Sequence, residues 1–517
     1  MISQLINGSL LQPIKPTCKL LLLTIALVTL HGCGSSASGG EQTIIAAPID
    51  LTGATLRVNN VSGSDLADGI TEPYQTLQYA LDQLRPGDLL VIEDTSQPYS
   101  SSAVIAQERD SNDNLLRTLR GFKVSVSGTQ SSPIIIEGRG SNRPEINQLQ
   151  SGSVPSNATV GLLLDCVSHI VVRNLEIHSA NEAGITTATD GACQTSNIVI
   201  EGNHIHNIYG EKYVGGVRMM GTSDVVISNN HIHDIFSNES AENKRLIKKG
   251  AGIHNIIVEN NRLEFIDTGV AINAQGIGNS TFGLENPEPV SAIQIKNNVF
   301  DTVADALSFT THISDAMSVD ETKTGLFVNF DVVGNTFQQV GSALHLRADT
   351  AQDQSDIACI YNNSFINTIG AALDIAGLTN LELFNNIFVM PQSEILLTHA
   401  TDNAGLSNSI VYSDHNLFYE FVSLRWRLGV SGPTEATYAD LPNWQSASSH
   451  PELSANPDLL AIIDDPQFVD PLNGDYTLDT GSVAIAAGRF GLSIGANDGL
   501  VAPVDRPEFP CAARELN

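Results

Sequence analysis

Between residues 174 and 416 the chain repeats one pattern of apolar and polar positions. Apolar residues alternate, an Asn follows, and further apolar residues come two and five positions after it. The alternation has the period of a β-strand, and the runs are rich in Ile and Val. Examples are IVIEGNHIHNI (198–208), VVISNNHIHDI (225–235) and IQIKNNVFDTV (293–303). The pattern therefore predicts many short strands.

The copies recur at intervals of 23 to 37 residues, as expected for one coil per repeat with loops of variable length. The repeated residues are Asn174, Asn203, Asn230, Asn261, Asn298, Asn335, Asn363, Asn386 and Asn416. No segment between copies has the length and period of a crossover helix, which disfavours a doubly wound α/β fold. Parallel strands stacked coil upon coil bury a core that no single repeat can bury, so we predict an all-β, single-stranded parallel β-helix.

The repeated Asn is predicted to be structural. It would lie at a bend between strands, where Asn tolerates a left-handed backbone and bonds to nearby peptide groups. Stacked copies could also bond to one another as an internal ladder.

Two histidine pairs, His204/His206 and His231/His233, have the H-x-H spacing of some metal sites. The intervening Ile takes the inward position, so both His of each pair would face outward. No Cys or carboxylate follows at a defined spacing, so the zinc signal is weak and we predict no metal site.

Four segments are predicted along the chain: a signal peptide (1–32), a flexible tether (33–54), the β-helix with its N-terminal cap (55–420) and a loop-rich C-terminal cap (421–517). Residues 73–84 place Leu77, Ala80, Leu81 and Leu84 on one helical face. This amphipathic helix would close the N-terminal end of the core. Residues 438–444 and 465–488 would close the other end.

The first 32 residues contain no acid and run apolar from residue 20 to residue 30. Such a segment is a secretory signal that is too short to span a membrane. It ends Leu30-His31-Gly32-Cys33, which resembles a bacterial lipobox and implies lipidation of Cys33 and a membrane anchor. Gly34 after the Cys favours the outer membrane. We therefore expect an envelope lipoprotein, facing either the periplasm or the exterior.

The formal net charge of the chain is −31, and it becomes −33 when residues 1–32, which carry two Lys and no acid, are removed. Such acidity repels polyanions, so nucleic acid is disfavoured as a partner. In an oxidising compartment Cys166 could pair with Cys193 one coil later, although sequence does not fix the connectivity.

The second strands of the coils can be aligned through their inward residues. The residues that follow these would then form an outward column: Thr186, Arg218, Lys248, Ala271, Ser308, His345 and Asp374. A second column two residues further on comprises Met220, Asn273, Thr310 and Arg347. Long insertions at 275–289 and 311–326 begin just after this strand, so the columns and loops predict a groove for an extended polymer.

Arg218 and Lys248 are predicted to be the catalytic bases. A basic side chain facing a uronate ring could abstract the proton beside its carboxylate, the first step of β-elimination. Asp305, with Asp267 one coil earlier, could depress a pKa, orient the base or hold Ca²⁺. His345 is a further catalytic candidate, and the residues predicted to bind substrate are Asn273, Thr310, Arg347 and Asp374. The alternative is that each is an ordinary solvated residue.

Three parts of the chain resemble one protein family: residues 58–92 (VNNVSGSDLADGITEPYQTLQYALDQLRPGDLLVI), the coils, and residues 465–488 (DPQFVDPLNGDYTLDTGSVAIAAG). They look like the right-handed parallel β-helix proteins among bacterial polysaccharide lyases, hydrolases and epimerases. The resemblance implies a right-handed coil with a capped entry and a closing segment. The Lys-Ser motif of the chondroitinase B and alginate lyase branch and the Asp-Pro-His of mannuronan epimerases are absent, so Arg218 and Lys248 come from strand alignment alone.

Two functions follow as hypotheses. The first is an envelope-anchored protein that binds and cleaves an extended acidic polysaccharide by lyase chemistry. The rival is a non-catalytic surface β-helix that uses the same face to bind a glycan or a protein partner.

Overall fold

A computed structural model describes the chain over seventeen stretches, all within one compact unit, Ile49–Asn517. The described residues are 53–109, 115–148, 157–188, 195–210, 214–219, 222–237, 254–273, 290–311, 327–348, 357–376, 380–391, 394–399, 410–421, 423–428, 434–438, 440–446 and 457–496.

Short strands make up most of this part of the chain. In the N-terminal half they are β1 (Thr55–Val58), β2 (Leu89–Glu93), β3 (Val104–Arg109), β4 (Leu115–Val124), β5 (Ile134–Arg139), β6 (Glu145–Asn147), β7 (Asn157–Asp165), β8 (Ser168–Arg173), β9 (Glu176–His178), β10 (Ala183–Ala188), β11 (Thr195–Glu201), β12 (His204–Gly210), β13 (Gly215–Arg218), β14 (Thr222–Ser228), β15 (His231–Ser237), β16 (His254–Glu259) and β17 (Arg262–Asn273). In the C-terminal half they are β18 (Val290–Lys296), β19 (Val299–Thr311), β20 (Phe327–Val333), β21 (Thr336–Gln338), β22 (Ser342–Ala348), β23 (Ile357–Tyr361), β24 (Ser364–Ile366), β25 (Leu373–Ala376), β26 (Asn380–Phe384), β27 (Ile387–Val389), β28 (Glu394–His399), β29 (Ile410–Asp414), β30 (Leu417–Tyr419), β31 (Ser423–Leu428), β32 (Thr434–Tyr438), β33 (Ile462–Ile463), β34 (Phe468–Asp470) and β35 (Asp475–Leu478). Two α-helices, α1 (Leu77–Asp82) and α2 (Leu441–Gln445), and two 3₁₀ turns (Pro471–Asn473 and Arg489–Gly491) complete the described structure.

The strands form the three sides of a right-handed parallel β-helix, as predicted. The first side is a twelve-stranded sheet in the order β1-β2-β5-β8-β11-β14-β16-β18-β20-β23-β26-β29. The second side runs β6-β9-β12-β15 and continues through the first halves of β17 and β19 to β21, β24, β27, β30 and β33. The right-handed coil is the hand that nearly all crossovers between parallel strands adopt.

The third side has two described parts. One is the sheet β3-β4-β7-β10-β13, and the other runs from the second halves of β17 and β19 through β22, β25, β28, β31 and β32. β17 and β19 pass through the corner without a break, so each belongs to two sides. Between the two parts lie residues 238–253, which are outside the described residues.

Apolar residues of all three sides meet in one continuous core, with Ile and Val dominant early and Phe dominant later. The aligned inward residues Val217, Val270, Leu307, Leu344 and Leu373 are all buried, which confirms the alignment at these positions. A stack of Phe rings with centroids 4.8 to 5.4 Å apart crosses successive coils. It consists of Phe300, Phe337, Phe365, Phe388 and Phe418.

The repeated Asn residues form a buried ladder along the core, as predicted. In each rung the backbone N–H and the side-chain Nδ2 donate to Oδ1 of the Asn one coil later, for example from Asn261 to Asn298 at 3.0 Å each. The same Nδ2 also donates to a carbonyl of the preceding coil, here that of Ile227 at 2.8 Å. Every polar group of the corner is thus satisfied without water.

Two details of the ladder differ from the sequence prediction. The left-handed backbone belongs to the residue before the buried Asn, such as Asn260 and Asn297. Asn174 is one of these left-handed residues, and Leu175 occupies the ladder position, where its N–H donates to Oδ1 of Asn203 at 3.0 Å. The assignment of Asn174 to the ladder was therefore one residue off, because this corner carries a single Asn and it takes the left-handed position before the ladder position.

The two ends of the core are closed differently. Helix α1 buries Leu77, Ala80 and Leu81 against the N-terminal coils, as predicted, although it is shorter than the pattern suggested. Helix α2 closes the C-terminal end through Leu441 and Trp444.

The segment 466–496 does not cover the C-terminal end of the core. It packs on the outer surface of the last coils, where Leu478, Ala484 and Ile494 meet Ile387 and Leu417.

Cys166 and Cys359 are both disulfide-bonded. Cys166 lies just before β8 and Cys359 lies within β23, and five strands of the first side separate these two strands. Pairing of Cys166 with Cys193 stays a prediction. Among the described residues no helix is both long and apolar enough to cross a membrane.

Candidate functional site

The two outward columns predicted from the sequence lie in register on the third side. In the first column Ala271, Ser308, His345 and Asp374 are partners on successive strands. Thr186 and Arg218 are likewise partners in the earlier part of this side. Lys248 and Met220 lie outside the described residues, so the link between the two parts of the column stays a prediction.

The second column is in backbone register as well. Asn273, Thr310 and Arg347 are partners on β17, β19 and β22, two residues beyond the first column. The predicted insertions, 275–289 and 311–326, lie outside the described residues except for Thr311, which is the last residue of β19.

His345 and Asp374 make the one direct contact between neighbours in the first column that the described side chains show. Nδ1 of His345 lies 3.0 Å from Oδ2 of Asp374, and both side chains are partly exposed, at 24% and 16%. Leu344 and Leu346 on either side of His345 are buried, so the strand's alternation turns the imidazole outward. A ring whose Nδ1 bonds to a carboxylate keeps Nε2 for a proton or a ligand.

Arg218 is not the solvent-facing base that the sequence predicted. Its side chain is only 6% exposed and forms an ion pair with Glu182, which is 3% exposed. A guanidinium stays protonated at ordinary pH, and a buried partner fixes it further. The alternation of β13 does not reveal this, because the covering residue, Glu182, comes from the preceding coil just before β10.

Asp305 is partly buried on β19, and its partners in the sheet are Thr268 and Ser342. Asp267 is therefore one residue out of step with Asp305, not its neighbour as the sequence suggested. Among the described residues, no group of three His, Cys, Asp or Glu ligands forms around Asp305.

The C-terminal coils of the third side bring basic residues to these columns, a feature that sequence reasoning missed. Asp374 pairs with Leu397, which pairs with Arg425, and the second column continues from Arg347 through Ala376 and His399 to Arg427. β22 begins seven residues after Asn335, and β28 and β31 begin eight and seven residues after Asn386 and Asn416. The sequence analysis missed the two later strands because its alignment of inward residues stopped at Leu373.

A second cluster of polar groups lies on the second side of the β-helix. His178, His204, His206, His231 and His233 form two adjacent outward columns on β9, β12 and β15, flanked by Glu176 and Glu264. Nε2 of His204 lies 2.7 Å from Nε2 of His233, and Nε2 of His206 lies 3.0 Å from Oε1 of Glu176. We call these seven residues the histidine face.

Burial lowers the pKa of His204 to about 4, and the neighbouring imidazole of His206 adds to the effect. Burial also lowers the pKa of His206 and of His231. Glu176 and Glu264 reach the H-x-H pairs from neighbouring coils, so no fixed spacing in the sequence marks them as partners.

Comparison with known proteins agrees with the coil architecture. A model of the right-handed β-helix region matches residues 134–286. No curated protein matches the chain.

Similar solved structures include a rhamnogalacturonan lyase, with 12% identity over 81% of this chain and 91% of that chain and a TM-score of 0.42. Another is the pectate lyase Pel9A, with 13% identity over 86% and 96% and a TM-score of 0.38. A family 28 exopolygalacturonase of Yersinia enterocolitica has 13% identity over 74% and 76% and a TM-score of 0.40. The strand pairing and the match over residues 134–286 make the chain a right-handed parallel β-helix protein, and its activity has to be argued from its own site.

Proposed function

We propose that the third side binds an extended acidic polysaccharide and cleaves it by β-elimination, with His345 as the base. The observation that carries this proposal is the hydrogen bond between His345 and Asp374 on adjacent coils. The substrate class is of the kind named for the lyases compared above.

The His345–Asp374 pair has the chemistry that proton abstraction needs. The Asp374 carboxylate orients the imidazole and stabilises its protonated form, so Nε2 can accept the proton beside a uronate carboxylate. The C–O bond to the next sugar then breaks, a C=C bond forms, and the departing oxygen takes up a proton. Arg347, two residues beyond His345 on β22, is the proposed partner of the substrate carboxylate.

The register of the third-side strands suits an extended polymer. In-register strands repeat every ~4.8 Å, so successive coils present side chains at regular intervals along one line. Arg347, Arg425 and Arg427 concentrate positive residues on the C-terminal coils of a chain whose net charge is −31. An anionic ligand would therefore be favoured at this end of the third side and repelled by most of the rest.

The remaining predicted site residues keep separate roles in the proposal. Lys248 is a second candidate base, and Asn273, Thr310 and Asp305 are proposed to line the groove. Arg218 acts as a positioning residue through its ion pair with Glu182. Ca²⁺ could also shield a polyanion, and assays in EDTA and in millimolar Ca²⁺ test that role directly.

Absorbance of unsaturated product in the ultraviolet tests the proposal on a panel of acidic polysaccharides. His345→Gln should lower the rate at least ~100-fold, because it removes the base. Asp374→Asn should lower it less and shift the pH profile. His254→Gln, on the first side, is the matched control and should leave the rate unchanged.

Two results would contradict the proposal that the protein is a lyase with His345 as its base. Full activity in His345→Gln with loss in Lys248→Ala would move the base to Lys248. Retention on glycan without new chain ends, in the wild type, would favour the non-catalytic binding protein.

A second candidate activity rests on the order of residues in the first column. Ser308, His345 and Asp374 are partners on three successive strands, an order that suits ester hydrolysis with Ser308 as nucleophile. Release of acetate from acetylated polysaccharide, lost in Ser308→Ala, would support it. The lyase proposal expects Ser308→Ala to keep most of its ultraviolet-detected activity.

We further propose that the protein is exported and anchored to the cell envelope through a lipid on Cys33. The disulfide-bonded Cys166 and Cys359 support an oxidising compartment. Membrane fractionation of the wild type and of Cys33→Ala tests the anchor. The variant should appear in the soluble fraction, and an unchanged membrane fraction would reject lipidation at this residue.

A further inference from the structure

We infer that the histidine face binds one divalent transition-metal ion, with His204, His231 and His233 as its ligands. These three imidazoles come from two adjacent coils, on β12 and β15. The site lies on the second side and is separate from the proposed polysaccharide groove on the third.

The donor atoms already converge. One nitrogen from each of the three rings lies within 4.8 Å of the others, and the two Nε2 atoms of His204 and His233 are 2.7 Å apart. Zn–N bonds of 2.0–2.1 Å in a tetrahedron place two nitrogens about 3.4 Å apart. The His204 and His233 nitrogens therefore need to part by about 0.7 Å, and the His231 nitrogen, within 4.8 Å of them, needs to approach by about 1.4 Å at most.

In two of the three rings, one ring nitrogen lies within hydrogen-bond distance of a carboxylate oxygen. Nδ1 of His233 is 2.7 Å from Oδ2 of Asp234, which leaves Nε2 as its ligand atom. Nε2 of His231 is 3.2 Å from Oε2 of Glu264. A carboxylate on the second nitrogen fixes the tautomer and raises the basicity of a ligand imidazole.

The backbone that carries these rings is rigid. Ile205 and Ile232, the inward residues between the His of each pair, are 0% exposed, so neither strand can rotate without disrupting the core. The strands are paired residue for residue, His204 with His231 and His206 with His233. The ligand geometry is thus set before any ion arrives.

The ligand chemistry selects the ion and the stoichiometry. Imidazoles favour Zn²⁺, Co²⁺, Ni²⁺ and Cu²⁺, whereas Ca²⁺ and Mg²⁺ require oxygen ligands. A second group, Glu176, His204 and His206, has similar spacing but shares His204 with the first. One ion per chain is therefore expected, bridging two coils.

Isothermal titration of the tag-free full chain with Zn²⁺, after removal of metal with EDTA, tests this inference. We expect one Zn²⁺ per chain, and Ca²⁺ should not compete for this site. His233→Ala should weaken binding at least ~100-fold and Asp234→Asn about 10- to 100-fold, the loss typical of an outer-shell partner. His254→Ala, with one His fewer outside the face, should bind as the wild type does.

Two further measurements separate loss of a ligand from loss of fold. His204→Gln keeps the side-chain size, and its circular dichroism spectrum should match the wild type while Zn²⁺ binding is lost. Co²⁺ bound to the wild type should give the visible absorption of a tetrahedral site, and His204→Gln should not. Zn²⁺ binding that survives in both His233→Ala and His204→Gln, or the absence of Zn²⁺ binding in the wild type, would overturn the inference.

Discussion

At the scale of single residues, Asp458 takes the place of the next Asn at the C-terminal end of the buried ladder. Its Oδ1 accepts from Nδ2 of Asn416 at 2.7 Å, and its Oδ2 accepts from Nε1 of Trp444 and Oγ of Ser413, each at 2.8 Å. One carboxylate thus joins the last coil to helix α2. Asp458 thus supplies the acceptor that the next Asn supplies in every earlier rung.

Asp458→Asn should destabilise the protein although it barely changes the volume. An amide has one NH₂ group, which would face either Nδ2 of Asn416 or Nε1 of Trp444, and both of these groups are donors. Leaving buried donors without an acceptor costs about 1–3 kcal/mol. Urea denaturation measures the loss, with the exposed Asp470→Asn as the control. Equal midpoints for Asp458→Asn and the wild type would contradict this role.

The same residue should make stability depend on pH. Burial raises the pKa of Asp458 above its ordinary value of 3.8. The folded state then holds this proton to higher pH than the unfolded state, so the contribution of Asp458 falls as pH rises from 3.8 through the folded pKa. The advantage of the wild type over Asp458→Asn should therefore shrink from pH 4 towards neutrality. Unfolding both proteins across this range tests the sign, and a growing advantage would refute it.

For single residues, the sequence predicted the structure correctly where strand alternation alone determines which side chains point outward. It placed His345 and Asp374 on one outward column, because Leu344 and Leu373 are inward on adjacent coils. It failed for Arg218, which Glu182 covers. The alternation along a strand determines whether a side chain points outward. Its exposure also depends on which residues of neighbouring coils cover it.

At the scale of elements, the Asn ladder and the Phe stack stabilise the coil in different ways. Each Asn satisfies the polar groups of a corner, and each Phe fills the space between sheets. Their repeats give the strands their register, because a slip of one residue would turn every inward side chain to solvent.

Asn298→Ala should interrupt the ladder at its centre. It removes the acceptor of both Asn261 groups and the donor to Asn335 and to the carbonyl of Val258. Each unsatisfied buried group costs about 1–3 kcal/mol, so the urea midpoint should fall clearly. Asn473→Ala, at an exposed position, is the control. Similar midpoints for the two variants would show that water replaces the lost rung.

Phe365→Ala should open a cavity inside the Phe stack. The ring is fully buried between Phe337 and Phe388, with centroids 5.0 and 4.8 Å away. Phe→Ala in a core costs about 3–5 kcal/mol. Thermal unfolding measures the loss, and Phe265→Ala, at a ring that is 49% exposed, should change it little. A small effect at Phe365 would mean that the coils collapse into the space.

Elements without the repeat were harder to predict than the coils. The first-side strands β1, β2 and β5 extend the stack before the first Asn, and β28 and β31 extend the third side. In the described part of the chain no ladder Asn precedes β1, β2 or β5, so no fixed offset marks these three strands. β28 and β31 follow Asn386 and Asn416 by eight and seven residues, and they were missed because the alignment was not extended past Leu373. The C-terminal segment was expected at the end of the core, but an apolar run does not reveal which surface it covers.

At the scale of the whole molecule, the overall negative charge disfavours binding of the proposed anionic ligand. The formal net charge is −31, whereas the C-terminal coils of the third side carry Arg347 on β22 and Arg425 and Arg427 on β31, three strands further along the sheet. Long-range repulsion and short-range attraction therefore oppose each other for an anionic polysaccharide. The balance between them depends on ionic strength, because screening removes the long-range part first.

Raising NaCl from about 10 to about 100 mM should therefore speed the association of an acidic oligosaccharide. The Debye length falls from about 30 to about 10 Å over this range, so repulsion by distant carboxylates is screened while contacts with Arg347 persist. Stopped-flow binding to the inactive His345→Gln variant measures the rate, with a neutral oligosaccharide as control. Arg425→Gln should raise the dissociation rate. An association rate that falls steadily with salt would mean that the basic coils outweigh the field of the rest of the chain.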